Sequence, residues 1–320
     1  MRPVAKWQAL DGGPSGRNSK KTGRDRLLPV ARLVARVEFE GREMAYVYVN
    51  GSIVEESEAV ISVLDHGLVA GDGIFEALAV YDGTPFAVRR HLERLARSAA
   101  GMRFTQMPDL GEVEDAIHRV VKANQIGFGK VRVTYTAGDG PLGSDRLPSS
   151  PRLVIATAPL GPIAPTAKVA LSPWPRNERG ILAGLKTTSY AENVVGLNWA
   201  ISQGADEIIF PNLKGELCEG SGSNIFVVVD GELITPTLAS GCLAGVTRDL
   251  IVEHLGGVER DVPIEALKSG VVEEAFLSSS LREAQAITFV DDFALPVAPG
   301  PVSLEISRHF RELIKDNLNP

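Results

Sequence analysis

Apolar residues alternate with polar ones, or recur every three to four positions, along most of the chain after residue 45. Tyr46–Val49 and Ser52–Val54 flank an Asn-Gly pair that favours a type I′ turn, so they predict a β-hairpin. Gly73–Tyr81 predicts another strand, followed by a turn and a strand at 84–88. The same spacing predicts helices at 89–101, 113–123, 193–203, 247–255 and 304–318, and strands at 131–136, 153–157, 169–172, 207–210, 225–229, 232–235 and 275–279.

Changes in composition divide the chain. Residues 1–43 lack periodicity and predict a disordered extension, or an upstream start included by mistake. Residues 44–157 predict a smaller α+β domain in which strands dominate. Residues 158–166 hold three prolines in nine positions and predict a stiff linker. Residues 167–320 predict the second, larger domain.

The overall composition excludes several classes of protein. The chain has 320 residues, of which 44% are hydrophobic, and a formal net charge of −7. This charge argues against general nucleic-acid binding. Two cysteines without a CxxC pair, and five histidines without metal spacing, predict no metal site. No apolar run approaches the roughly 20 residues that span a bilayer, and no leader is visible, so we expect a cytoplasmic protein that binds no membrane.

One lysine has unusual surroundings in the sequence. Lys186 is the only basic residue between Arg179 and Lys214, and its neighbours are small or apolar. Such a setting desolvates an amine and lowers its pKa, as a Schiff-base lysine requires. An exposed loop lysine is the commoner alternative.

Three further segments are typical of anion binding. The Gly/Ser run after Glu219 offers backbone N–H donors. Thr247 could cap a predicted helix whose N-terminus could bind an anion. Arg94 lies on another predicted helix and supplies a guanidinium. Each also fits an ordinary loop or a solvated helix. Together with Lys186 they supply an amine, a carboxylate, a guanidinium and two anion-binding backbones. That set suits a phosphate-bearing aldehyde cofactor.

The order of the motifs resembles the fold type IV (class IV) pyridoxal-phosphate enzymes, from Tyr46 to Asn317. These include branched-chain and D-amino acid aminotransferases, (R)-amine transaminases and aminodeoxychorismate lyase. The motifs are YVNG at 48–51, GDGIFEAL at 71–78, HLERL at 91–95, KTTSYAEN at 186–193, GADEIIF at 204–210, EGSGSNIF at 219–226, ITP at 234–236 and GVTRD at 245–249. The resemblance implies an α/β (α+β) fold of two domains, a β-barrel-like core in the C-terminal one, and the cofactor in the cleft between them.

The resemblance also implies roles for individual residues. Lys186 resembles the catalytic lysine that binds pyridoxal 5′-phosphate and moves a proton between the substrate Cα and the cofactor. Glu219 resembles the carboxylate that pairs with the pyridine nitrogen, and Arg94 the guanidinium on the phosphate. The other cofactor residues that it implies are Tyr190, Ser221, Asn224, Val246, Thr247 and Ser280.

The substrate side departs from the marked subgroups. Branched-chain enzymes typically carry an arginine in the strand after FEG, whereas this chain reads Phe-Glu-Ala-Leu-Ala at 75–79 and has no arginine until Arg89. Phe75 is a further substrate-side candidate. An unpaired carboxylate is costly to bury, so we expect Arg132, Lys130 or Arg146, in that order, to bind the substrate carboxylate.

These features predict an aminotransferase that acts on a branched-chain-like amino acid and a 2-oxo acid such as 2-oxoglutarate. The alternatives are an aminodeoxychorismate lyase that releases pyruvate and 4-aminobenzoate, a D-amino acid or (R)-amine transaminase, and a binding protein that has lost the chemistry. The resemblance further implies a homodimer.

Overall fold

The computed structural model describes residues 45–146 and 150–320. The first part of the chain forms a six-stranded antiparallel sheet in the order β2-β1-β6-β5-β3-β4. Its strands are β1 (Tyr46–Val49), β2 (Ser52–Glu55), β3 (Gly73–Tyr81), β4 (Thr84–Pro85), β5 (Gly129–Thr136) and β6 (Arg152–Pro159). The predicted Asn-Gly hairpin is present, with both turn residues at positive φ.

Three helices accompany this sheet: α1 (His66–Val69), α2 (Val88–Gly101) and α3 (Leu110–Ala123). The apolar side of α2 buries Leu92, Leu95 and Ala99 in the core over the sheet. The Asp109 carboxylate caps α3 by accepting hydrogen bonds from the Gly111 and Glu112 N–H groups.

The second sheet has nine strands in the order β12-β11-β10-β13-β14-β7-β8-β9, with β15 beside β14, and it curls into a half-barrel. Both β14 and β8 run parallel to β7. The strands are β7 (Thr166–Leu171), β8 (Glu207–Pro211), β9 (Leu217–Gly220), β10 (Asn224–Val229), β11 (Glu232–Thr235), β12 (Val258–Glu259), β13 (Glu274–Ser279), β14 (Glu283–Val290) and β15 (Phe293–Ala294).

Three α-helices complete this half: α4 (Ala191–Ser202), α5 (Val246–Leu255) and α6 (Pro301–Asp316). A core that includes Phe226, Phe276 and Phe310 fills the space between the sheet, α5 and α6. None of the helices in the described ranges is long and apolar enough to cross a membrane.

A short segment after the second sheet's first strand pairs with the first sheet. The Phe75 N–H donates to the Lys186 carbonyl at 3.0 Å, and the Thr188 N–H donates to the Gly73 carbonyl at 2.8 Å. Thr187 forms an antiparallel bridge with Ile74. Lys186 therefore lies against the edge of β3.

The structure departs from several sequence predictions. Residues 84–88 are not one strand, because β4 ends at Pro85 and α2 begins at Val88. The strand β14 was not predicted, because it is buried on both faces and shows no alternation. Residues 158 and 159 continue β6, so the connection to β7 covers only 160–165. The predicted extension 1–43 lies outside the described residues, and the division into 44–157, 158–166 and 167–320 stays a prediction.

Candidate active site

One cavity of about 990 Å³ collects the residues predicted to contact the cofactor. Residues from both sheets line it. The predicted residues that line it are Arg94, Lys186, Tyr190, Glu219, Ser221, Asn224, Val246, Thr247 and Ser280. The predicted substrate residues Phe75, Lys130 and Arg132 are not among the described lining residues.

Lys186 is held by its backbone and surrounded by charges. Its N–H donates to the Ser98 hydroxyl at 3.2 Å, and its Nζ lies 4.3 Å from the centre of the Phe75 ring. Burial and the nearby Arg94 charge lower the pKa of Lys186 to about 8. A lowered pKa leaves more of the amine neutral near pH 7, which is the form that a nucleophilic lysine requires.

Glu219 has two partners at its carboxylate. It accepts a hydrogen bond from the Leu243 N–H at 2.9 Å, and Arg176 Nε lies 3.5 Å from its other oxygen. Burial raises the pKa of Glu219, while the Arg176 charge opposes that rise. Arg176 itself packs over the Phe210 ring and donates to Asn193 Oδ1.

Arg94 and the beginning of α5 also line the cavity. Arg94 Nη1 donates to the Ala244 carbonyl at 2.9 Å, just before the helix. Gly245 is the N-cap residue, and no side chain caps α5 among the described contacts. The expectation that Thr247 caps this helix was wrong, because Thr247 is its second residue. The first N–H groups of a helix lack intrahelical acceptors and are suited to an anion.

Asn224 fixes the turn that leads into α5. Its Nδ2 donates to the Leu243 carbonyl at 2.8 Å. A Cβ on Gly245 would approach Asn224 Oδ1 to 2.0 Å, so a side chain at this N-cap position would displace the Asn224 carboxamide. Asn224 thus supports the turn that leads into α5 through the backbone.

Tyr190 and Ser221 hold the loop beside Glu219. The Tyr190 hydroxyl donates to the Ser221 carbonyl at 2.5 Å, and burial raises the pKa of Tyr190. The Ser221 hydroxyl and N–H both donate to the buried Glu207 carboxylate. The Ser221 side chain is therefore used in organising the loop.

The predicted substrate side chains lie on the first sheet. The Arg132 guanidinium lies 3.4 Å from the centre of the Phe75 ring. Arg132 is paired in the sheet with Ala77, which lines the cavity, and Lys130 is exposed two residues away. Arg146, in contrast, donates to the Asp72 carboxylate and to the carbonyls of Met102 and Arg103.

Comparison with known proteins places this site in a family. The model of the amino-transferase class IV family matches residues 73–290, which hold every residue of the predicted cofactor site. The chain belongs to the class IV aminotransferases. It is accordingly an enzyme of a family that depends on pyridoxal phosphate.

Relatives of this class IV aminotransferase carry two kinds of name. A putative branched-chain-amino-acid aminotransferase of Methanocaldococcus jannaschii is 29% identical over 84% of this chain and 95% of its own length. A D-alanine aminotransferase of Staphylococcus epidermidis is 30% identical over 78% of this chain and 90% of its own.

Solved structures agree with the fold. The branched-chain amino acid aminotransferase of Escherichia coli superposes with a TM-score of 0.79 at 28% identity, covering 85% of this chain and 95% of that chain. The Thermoproteus uzoniensis enzyme, solved with norvaline, has a TM-score of 0.80 at 28% identity, with the same coverage. The predicted fold type IV architecture is therefore confirmed.

Several residues around the site of this aminotransferase were not predicted from the sequence. Arg176 and Glu207 contact the Glu219 loop, and Glu76 and His91 lie beneath Arg94. Glu76 had a signal, since it is the one charged residue in the apolar run of β3. Arg176 lies in a segment without periodicity and had none.

Proposed function

We propose that this enzyme uses pyridoxal 5′-phosphate to move an amino group between a branched-chain-like amino acid and a 2-oxo acid such as 2-oxoglutarate. The observation that carries the proposal is the Lys186 amine, with a pKa lowered to about 8, in one cavity with Glu219 and Arg94. A neutral amine is the nucleophile that an aldehyde requires.

The residues present fit this cofactor. Arg94 and the N–H groups at the start of α5 suit a phosphate. Glu219 suits a protonated ring nitrogen, and Lys186 suits the aldehyde. The charges of Arg94 and Glu219 both act on Lys186, which supports one shared site.

The bound cofactor would supply an electron sink for the pair released when the substrate Cα–H bond breaks. Lys186 Nζ would take that proton from Cα and return it on the cofactor side. Glu219 would accept the hydrogen bond of the ring N–H and so keep that nitrogen protonated. Arg94 and α5 would hold the phosphate end in place during both transfers.

Arg132 is the favoured partner for a substrate carboxylate. Its neighbour Ala77 lines the cavity, and the Phe75 ring contacts both Arg132 and Lys186. Arg146 is less suited, because its donors are engaged by Asp72 and two carbonyls. Lys130 remains the second choice.

A D-amino acid substrate is the second candidate. The 30% identity to a D-alanine aminotransferase supports it, as does the lack of an arginine between Phe75 and Arg89, where branched-chain enzymes typically carry one. The (R)-amine transaminase and the lyase that releases pyruvate and 4-aminobenzoate stay as further alternatives.

The test is a half-reaction on protein loaded with pyridoxal phosphate. L-Leucine should abolish the visible absorbance of the lysine-bound cofactor, and 2-oxoglutarate should restore it. Bleaching by D-alanine and not by L-leucine would favour the second candidate. Pyruvate release from aminodeoxychorismate without an acceptor would favour the lyase. A protein that binds the cofactor but reacts with none of these substrates would contradict the proposal.

We also propose that the enzyme is a homodimer. Large apolar side chains remain exposed on the single chain, among them Val63, Leu68 and Ile181 at 76%, 69% and 89% of their full exposure. Exposed large apolar side chains are candidates for burial in an interface between subunits. Light scattering at micromolar concentration should give twice the chain mass, and a fully active monomer would refute the dimer.

A further inference from the structure

A buried carboxylate lies beneath the predicted phosphate end of the cavity. Glu76 on β3 is fully buried and accepts two hydrogen bonds from Arg94, from Nε at 2.9 Å and from Nη2 at 2.7 Å. Burial alone would raise the pKa of Glu76, but the Arg94 charge and these hydrogen bonds hold it well below its usual range. The carboxylate is thus ionised and fixes the plane of the guanidinium.

The same carboxylate has a second branch. His91 Nδ1 lies 2.7 Å from Glu76 Oε2, and His91 Nε2 lies 3.2 Å from the Ser280 hydroxyl. An ionised carboxylate only accepts, so Nδ1 carries the hydrogen. Burial lowers the pKa of His91, which leaves the ring neutral and Nε2 free to accept from Ser280.

The two branches, Glu76–Arg94 and Glu76–His91–Ser280, reach the cavity from different parts of the chain. Arg94 and Ser280 line it, whereas Glu76 and His91 are not among its described lining residues. His91 and Arg94 are three positions apart on α2 and therefore share the face that packs on β3. One carboxylate thus orders two side chains that are distant in sequence.

We infer that Glu76 and His91 are positioning residues for the phosphate of the cofactor, Glu76 through Arg94 and His91 through Ser280. The inference rests on the proposed function. Side chains that are already ordered lose little conformational entropy when a ligand binds. Glu76 and His91 therefore strengthen binding of the phosphate. The Glu76 charge also raises the pKa of Lys186, but pyridoxal phosphate and pyridoxal share that effect because both react through the aldehyde.

The test compares two ligands, pyridoxal 5′-phosphate and pyridoxal, which share the aldehyde and differ in the phosphate. Dissociation constants come from the visible absorbance of the lysine-bound ligand. In Glu76→Gln, either orientation of the amide places its NH2 against a donor of Arg94 or His91. We expect the affinity for pyridoxal phosphate to fall by about 10- to 100-fold, with less than about threefold loss for pyridoxal.

The matched control is Glu93→Gln, which makes the same change at an exposed position of α2. It should leave both affinities unchanged. A Glu76→Gln variant that weakens binding of both ligands equally would show a merely structural role and overturn the inference. A variant that changes neither affinity would also overturn it. If wild-type protein binds neither ligand, the proposed function fails instead.

His91 is tested through Ser280. In His91→Asn the amide still reaches Glu76 but not Ser280, so pyridoxal phosphate should bind more weakly and pyridoxal should not. If His91 acts through Ser280, His91→Asn together with Ser280→Ala should lose no more affinity than Ser280→Ala alone. Additive losses would overturn this branch. This cycle tests the His91 branch whether or not Glu76→Gln folds.

Discussion

Neutralising Arg176 should change how the reaction depends on pH. Arg176 Nε lies 3.5 Å from a Glu219 oxygen, and its charge opposes the rise that burial causes in the pKa of Glu219. In Arg176→Gln the pKa of Glu219 should therefore rise further. Activity that requires ionised Glu219 is lost as the pH falls through that pKa, so the acidic limb of the profile should move to higher pH.

The size of this effect follows from the geometry. Two unit charges 3.5 Å apart interact by roughly 5 kcal/mol at an effective dielectric constant of about 20. The two side chains retain 16% and 13% of their exposure, so water screens part of this energy. We expect roughly 1–3 kcal/mol to remain, which lowers the half-reaction rate on the acidic limb by about 5- to 160-fold. The rate at alkaline pH should fall much less.

The assay is the single-turnover rate with the preferred amino acid, measured across the pH profile. Arg179→Gln is the matched control, because that arginine is three residues away with 79% of its side chain exposed. Arg176→Lys, which keeps the charge, should restore most of the acidic limb. The reasoning is refuted if Arg176→Gln has the profile of the control. It is also refuted if Arg176→Lys behaves like Arg176→Gln, since packing on Phe210 would then matter more than charge.

Three further changes have defined outcomes. Lys186→Ala should remove the visible absorbance of the lysine-bound cofactor and nearly all turnover. In the wild type, the rate of pyridoxal phosphate binding, measured by stopped flow, should increase as the pH rises through about 8, where the amine becomes neutral. Glu219→Gln should keep the cofactor bound during dialysis. Its half-reaction should nevertheless be slower by about 10²-fold or more, because an amide does not hold the ring nitrogen protonated. Gly245→Ala should lower the free energy of unfolding in urea by about 1–3 kcal/mol, because the new Cβ would meet Asn224 Oδ1.

Sequence motifs located the residues that line the cavity, because each lies in a short local pattern. Lys186 stood out by its apolar neighbours, and in the structure burial is the main cause that lowers its pKa. The contacts that organise these residues were not predictable in this way. Glu76 meets His91 across 15 positions, and His91 meets Ser280 across 189. Such pairs exist only once the sheets have formed.

The same distinction holds for the elements of the fold. Amphipathic helices such as α2 and α3 were predicted within three residues at each end, because one face is buried and the other exposed. β14 was missed because burial on both faces removes the alternation. Arg146 shows the limit for side chains, since its sequence position alone did not reveal its pairing with Asp72.

The pairing of residues 186–188 with β3 has a consequence for how the chain tolerates changes in length. The register of the lysine is set by hydrogen bonds to Gly73 and Phe75 and not by the loop that precedes it. Insertions or deletions within 177–184 would therefore be absorbed before the bridge and leave the amine where it is. A single added residue between Lys186 and Thr188 would instead reverse the side on which the lysine points. Changes in the length of that loop can accordingly alter the shape of this cavity while the position of the Lys186 amine stays the same.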